Sequence, residues 1–195
     1  MRIREIEAFL GDIESIFAFS DDDARAMPRD FHDEMRLGLS GKPSSLKMLP
    51  AFVDCATGRE RGRFVALDLG GTNFRVMSVL LEGSGRARVE SSSRFAIPAQ
   101  VMKGSGRGLF DFIAESIREF LNEHGLPSDG ETRLGFTFSF PVKQTGAARG
   151  ILINWTKGFC AAGVEGRDVV SLLERALKRA GMGKLRIAAL ANDTV

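Results

Sequence analysis

Phe64-Val-Ala-Leu-Asp-Leu-Gly-Gly-Thr-Asn-Phe-Arg-Val-Met77 decides how the rest of the chain is read. Phe64 to Leu69 is a short apolar run, Gly70-Gly71 ends it, and Phe74 to Leu81 is a second run. That pattern predicts strand, tight turn, strand. The glycines are expected to supply positive φ and let the backbone come close to a ligand. Thr72 and Asn73 add side-chain donors, and their N–H groups can form an anion-binding concavity. Arg75 offers a planar fork to a phosphate. Asp68 is costly to bury unpaired on a mostly apolar strand. It makes sense if it points out of the strand end toward a hydrated cation. The stretch therefore reads as a phosphate-and-magnesium turn. It is neither a Walker loop nor a dinucleotide fingerprint, because Gly-x-x-x-x-Gly-Lys-Ser/Thr and a helix-opening Gly-x-Gly-x-x-Gly are both absent. For Gly70-Gly71 alone a plain structural hairpin is the alternative. Asp68, Thr72, Asn73 and Arg75 together favour the binding turn.

Around this stretch the chain has the composition of a folded domain. Its 195 residues are 44% hydrophobic, enough for one domain with a real core. The net charge is +2 and the pI about 8.7, a balance that points to neither a nucleic-acid nor a membrane partner. Cys55 and Cys160 lie far apart without a Cys-x-x-Cys or a histidine companion, and read as reduced, buried or incidental thiols. No apolar run approaches bilayer length. The N-terminus, Met1-Arg-Ile-Arg-Glu-Ile-Glu, carries charges throughout and lacks a signal-peptide core. A cytoplasmic location is the expectation.

Taken in order, Ile3, Ile6, Phe9, Leu10, Ile13, Ile16 and Phe17 form one helical stripe. Ser20 with Asp23 resembles a capping box opening a second helix. Phe31, Met35 and Leu39 stripe that helix, Pro28 should kink or restart it, and Gly38 and Gly41 should end it. Pro43 to Thr57 reads as a linker with a short extended piece, Leu49 to Val53. Gly83 to Gly85 turns the chain after the strand pair, and Arg86 to Ile97 alternates as a third strand. Three strands with tight turns make an antiparallel meander. Met102 to Gly108 is a glycine-rich loop leading into a helix with Leu109, Phe112, Ile113, Ser116, Ile117, Phe120 and Leu121 on its stripe. Arg133 to Phe138 is another strand, Ile151 to Ile153 a short apolar piece, Val169 to Leu177 a helix and Arg186 to Ala191 a last strand. Strands, then helix, strand, helix, strand argue for an α/β sheet with an antiparallel meander and later parallel members.

Sites in such sheets lie beyond the carboxyl ends of strands. Asp68 to Arg75, Ser139 to Pro141, and Asn192-Asp193 all occupy such ends and are expected to converge on one rim. Phosphoryl transfer needs phosphate positioning, a metal, charge neutralisation and a base near the attacking hydroxyl. The glycine turn offers the first and Asp68 a contact to the second. Lys157 brings positive charge, and Asp193 is the best candidate base. Asn192, Thr156 and Ser139 suit the hydroxyl groups of a polyol. Bland readings stand beside these. Asn192-Asp193-Thr194 can be a turn or helix cap, Thr156-Lys157-Gly158 a surface turn, and Trp155 a packed aromatic. His32 reads as a plain helix or surface histidine. His124 reads as a helix C-terminal residue.

Five segments carry a resemblance to the hexokinase family, the eukaryotic-type sugar kinases that include glucokinases. They are Leu67-Asp-Leu-Gly-Gly-Thr-Asn-Phe-Arg-Val, Leu134-Gly-Phe-Thr-Phe-Ser-Phe-Pro, Gly150-Ile-Leu-Ile-Asn-Trp-Thr-Lys-Gly-Phe, Val164-Glu-Gly-Arg-Asp-Val-Val and Ala191-Asn-Asp-Thr-Val. Leu46-Lys-Met-Leu-Pro resembles the family's approach to the first strand. The resemblance implies an α/β, actin-like (ribonuclease H-like) fold. Residues 46–195 would be the small domain, and residues 1–45 a helical segment that packs on the large domain in the family. It implies ATP and Mg2+ as cofactors, with Asp68 reaching the metal through water and Gly70, Gly71, Thr72, Asn73 and Arg75 around the phosphates. It places Ser139, Phe140, Thr156, Lys157, Asn192 and Asp193 along a hexose, glucose foremost, with Asp193 as base toward the 6-hydroxyl. Lys157 would bind the sugar and balance charge. Family members continue into a large domain as covalent continuation, and this chain is expected to hold one wall of the cleft. The rivals are a truncated non-catalytic module that binds sugar weakly or binds a partner, and an actin-like structural ATPase. The latter leaves Thr156-Lys157 and Asn192-Asp193 unexplained.

Overall fold

The computed structural model describes residues 3–192, apart from Asp54 and residues 129–131. They divide into two compact units at Leu49/Pro50. In the first unit, α1 (Ile3–Phe17) and α2 (Asp21–Leu39) form where the apolar periodicity and capping box predict them. Ser20 Oγ accepts from the Asp23 N–H at 3.1 Å, and the Ser20 N–H donates to Asp23 Oδ2 at 3.1 Å. The α1 stripe, from Ile6 to Phe17, is exposed. Pro28 lies inside one uninterrupted α2 rather than marking a restart. Gly38 does not end α2. It sits one residue inside because the returning chain crosses it, and a Cβ there would fall 2.0 Å from Leu46 O. Gly41, with φ of 72°, makes the turn that follows.

The second unit is built on a five-stranded mixed sheet. Its strands are β1 (Arg61–Leu69), β2 (Asn73–Gly83), β3 (Arg86–Ala96), β4 (Arg133–Phe138) and β7 (Arg186–Ala191), in the order β3-β2-β1-β4-β7. β1, β2 and β3 pair antiparallel, while β1–β4 and β4–β7 are parallel. A meander followed by parallel strands on its far side is the ribonuclease H-like arrangement of the actin-like fold. Alternation within the strands sends Val65, Leu67 and Leu69, Phe74 and Val76, and Leu134, Phe136 and Phe138 into one core. Two helices close it. From α4 (Gly106–Glu123) come Leu109, Phe110, Ile113, Ile117, Phe120 and Leu121, and from α5 (Val169–Arg179) come Val169, Val170, Leu173 and Leu177.

Several local expectations need correction. Leu49 to Val53 pairs with no strand. Met102 and Lys103 belong to a short helix, α3 (Ala99–Lys103), and α4 starts at Gly106 because Ser105 Oγ accepts from the Gly108 N–H at 3.0 Å. The glycines there serve packing, since a Cβ on Gly106 would lie 2.3 Å from Val164 Cγ2. A hairpin of β5 (Val142–Gly146) and β6 (Arg149–Leu152) replaces the single apolar piece expected near Ile151. Both cysteines are exposed rather than buried, and neither is in a disulfide. Among the described residues, no helix is long and apolar enough to cross a membrane.

Candidate functional site

The carboxyl ends of β1, β4 and β7 lie side by side on one edge of the sheet, and hydrogen bonds from backbone and side chain stitch them together. The Ser139 N–H, just past β4, donates to Leu69 O at the end of β1 (3.1 Å). Asn192, just past β7, donates from Nδ2 to Phe140 O at 2.9 Å and to Phe138 O at 3.3 Å. The glycine turn spans Gly70 to Thr72, with the Gly70 N–H donating to Asn73 O at 3.2 Å. The turn does not use its glycines as expected, because neither Gly70 nor Gly71 has φ in the left-handed region. Space on the protein side is ample too. A Cβ on Gly70 would meet only Asn73 O, at 3.8 Å, and one on Gly71 only the Lys157 side chain, at 3.9 Å. What a side chain at Gly71 would obstruct is the outer face of the turn, where Thr72 and Asn73 are exposed.

Asp68 lies on the face of β1 opposite Val65, Leu67 and Leu69, and is half-buried. Strand register sets it beside Arg75 on β2 and Thr137 on β4, and Arg75 beside Arg94 on β3. One row thus runs Arg94, Arg75, Asp68, Thr137 across the sheet. Among the described residues the Asp68 side chain makes no hydrogen bond or ion pair. A half-buried carboxylate in that setting fits contact with a hydrated divalent cation, a hard ion that takes oxygen ligands and keeps its waters. The open turn and the guanidinium fit phosphate oxygens.

Lys157 enters from the loop after β6. Its backbone has φ of 54° and Gly158 has φ of 80°, a turn closed by the Phe159 N–H donating to Thr156 O at 3.1 Å. Two contacts hold this loop. The Trp155 N–H donates to Glu165 Oε1 at 2.7 Å, and the indole Nε1 to Ala161 O at 2.9 Å. Trp155 also packs edge-on to Phe140 at 4.8 Å and stacks on Phe159 at 5.3 Å. The stem of Lys157 runs past Gly71, and its Nζ sits 5.8 Å over the Phe140 ring. Phe140 is 1% exposed, so its ring supports the lysine from below instead of facing a ligand.

Asp68, Gly70, Gly71, Thr72, Asn73, Arg75, Ser139, Phe140, Thr156, Lys157 and Asn192 are therefore assembled at one sheet edge and its adjoining loop. Asp193, the expected base, lies outside the described residues. The sequence reading missed two carboxylates, one that holds the Lys157 loop and one that ties β6 to α5. Glu165 is the first. Asp168 is the second, since it caps α5 through the Ser171 N–H at 2.7 Å and accepts from the Gly150 N–H at 2.9 Å. Asp168 sits just before an apolar helical run and was findable as an N-cap, whereas Glu165 has no local signal.

Comparison with known proteins agrees with this arrangement. The hexokinase family model matches residues 10–195. Hexokinase-3 of Rattus norvegicus is 48% identical over 181 residues, covering 92% of this chain and 19% of that protein. The hexokinase of Schistosoma mansoni is 46% identical over 167 residues, covering 84% of this chain and 37% of that protein. The solved structure of the Schistosoma mansoni hexokinase complexed with glucose superposes with a TM-score of 0.87 at 40% identity. That match covers all of this chain and 44% of the solved one. The chain thus spans about a fifth to two fifths of the length of these curated relatives. With a match over nearly its whole length, the chain belongs to the hexokinase family.

Proposed function

We propose that this chain is part of an ATP-dependent hexokinase, which transfers the γ-phosphoryl of ATP to the 6-hydroxyl of glucose or a related hexose in the first step of cytoplasmic glycolysis. Residues 46–195 form its small domain, residues 1–45 a helical segment for a large domain, and that large domain supplies the opposite wall of the cleft. One observation carries the reading: the glycine turn, the Ser139 loop, Asn192 and the Lys157 loop meet at the edge where β1, β4 and β7 end. When bound, ATP with Mg2+ brings the phosphoryl group and offsets its charge. The chain's own residues position and neutralise. Asp68 meets the hydrated cation, while the Gly70–Asn73 turn and Arg75 hold phosphate oxygens. Ser139, Thr156 and Asn192 orient sugar hydroxyls, Lys157 adds positive charge, and Asp193 accepts the 6-hydroxyl proton.

In the full-length protein, Asp193→Ala is expected to lower kcat by about 10²–10⁴-fold with the fold intact, the scale of a lost general base. Lys157→Ala is expected to cost about ten- to a hundredfold in kcat/KM for hexose, the scale of a lost charge-assisted hydrogen bond. Steady-state kinetics with glucose checks both. An Asp193→Ala enzyme that keeps most of its turnover removes Asp193 as base, and unchanged constants for Lys157→Ala remove its role. The native protein is expected to weigh well above 21.2 kDa. An intact mass near that value contradicts the large-domain proposal.

A further inference from the structure

Gln144 is a buried polar side chain with no part in the site described above. It occupies an inward position of β5 and is 8% exposed. Its Oε1 accepts from the Phe52 N–H at 2.9 Å, and its Nε2 donates to Leu190 O. The partners fix the amide orientation, because a backbone N–H only donates and a carbonyl only accepts. The surrounding hairpin grips Leu190 twice more. The Leu190 N–H donates to Ala147 O at 2.7 Å, and Gly150 packs so close that a Cβ would lie 2.6 Å from Leu190 Cδ2.

Leu190 needs this grip. It lies on β7, the outer strand of the sheet, just past an irregularity: Leu134 pairs with Ile187, but Gly135 pairs with Ala189. The extra residue, Ala188, re-phases the end of β7 against β4. Two residues after Leu190, Asn192 makes its bonds to Phe138 O and Phe140 O. We propose that Gln144 is a positioning residue: its amide ties the segment around Phe52 to the carboxyl end of β7 and so sets where Asn192 stands. The structural part stands alone, while the consequence for turnover rests on the hexokinase reading. Only a side chain of this length with one acceptor and one donor satisfies both partners. A carboxylate keeps the bond from Phe52 but turns an oxygen lone pair on Leu190 O. A protonated carboxyl restores the donor.

That difference gives the test. In the 195-residue chain, amide hydrogen exchange at Phe52 and Leu190 and the Asn192 side-chain amide signals are followed by NMR for wild type, Gln144→Glu and Gln144→Met. Burial beside a carbonyl raises the pKa of the introduced carboxyl. At about pH 8, Gln144→Glu is expected to release Leu190 O and loosen the end of β7, so that the Leu190 N–H, itself bonded to Ala147 O, exchanges about tenfold faster and the Asn192 signals shift. Phe52 should stay protected, and the other changes should reverse toward about pH 5. Gln144→Met should show the Leu190 and Asn192 changes and loss of Phe52 protection at every pH. In the full-length enzyme, kcat of Gln144→Glu should fall about tenfold at the higher pH and recover at the lower. Leu190 and Asn192 signals unchanged in both variants overturn the proposal. So does loss of the whole fold in both, which would make Gln144 a general stabiliser. If the NMR changes appear but the wild-type full-length protein phosphorylates no hexose, the positioning role stands and the kinase reading falls.

Discussion

Gly71 and Gly150 are glycines for different reasons, and substitution separates them. At Gly71 the backbone is outside the left-handed region and an added Cβ would make only an ordinary 3.9 Å contact with Lys157. Gly71→Ala should therefore leave stability within about 0.5 kcal/mol of wild type. Its methyl would crowd the outer face of the turn, so the full-length enzyme should bind ATP at least about tenfold more weakly. At Gly150 a Cβ would fall 2.4 Å from Val142 Cγ1 and 2.6 Å from Leu190 Cδ2. Both neighbours are buried, Val142 in the hairpin and Leu190 on β7, and Gly150→Ala should cost about 1–3 kcal/mol. Urea melts and nucleotide titration read both effects. A destabilised Gly71→Ala with normal ATP affinity would make the glycine structural and remove the turn from the phosphate site. At this scale the sequence marked Gly70-Gly71 as special for two reasons, positive φ and close approach to a ligand, and the backbone angles remove only the first. Gly150 carried no signal, since its neighbours Val142 and Leu190 are distant in the chain.

Among the elements, α2 is held at both ends by carboxylates. Hydrogen bonds from Ser20 keep the Asp23 carboxyl below its usual pKa. Glu34 is likewise lowered, first by the Ser45 N–H and then by the Ser44 and Ser45 hydroxyls, which fold the following strap back onto the helix. A carboxyl whose folded pKa is depressed stabilises above its unfolded pKa, and the effect is lost as pH falls through the folded one. Fraying at the Asp23 end and release of the Ser44–Ser45 strap should thus begin as pH drops below about 4. Amide exchange across α2 from neutral to acid pH checks this, and protection unchanged well below that range would refute it. The capping box was legible because Ser20 and Asp23 are three residues apart, within one turn. The strap was not, because Glu34 and Ser45 meet only after the chain reverses. The β5–β6 hairpin was missed for a related reason. Its inward positions hold Val142 and Gln144, then Gly150 and Leu152, so two of four lack the apolar side chain that alternation looks for.

Across the described residues, most of the sheet and the gathering of its polar loops at one edge could be read in advance. Six-residue apolar runs ending in polar loops signal both strand and site, and the parallel strands then had only one edge on which to put those loops. Burial is distributed less evenly than the helical stripes imply. Residues 5–49 include no buried side chain, whereas the second unit buries the continuous core from Val65 to Leu190. Helices of this length draw most of their stability from packing an apolar face. α1 presents Phe9 at 60% exposure and Phe17 at 78%. Denaturation of the 195-residue chain should therefore be non-coincident. Part of the far-ultraviolet helical signal should disappear first, at low urea. Fluorescence of Trp155, the one tryptophan, reports on the Phe138–Phe140–Phe159 cluster in the second unit and should follow in a later cooperative step. Deleting residues 1–19 should remove much of the early phase and leave the fluorescence midpoint unchanged. A single transition shared by both probes, or a lowered Trp155 midpoint after the deletion, would mean that the first unit contributes to the core's stability in spite of its exposure.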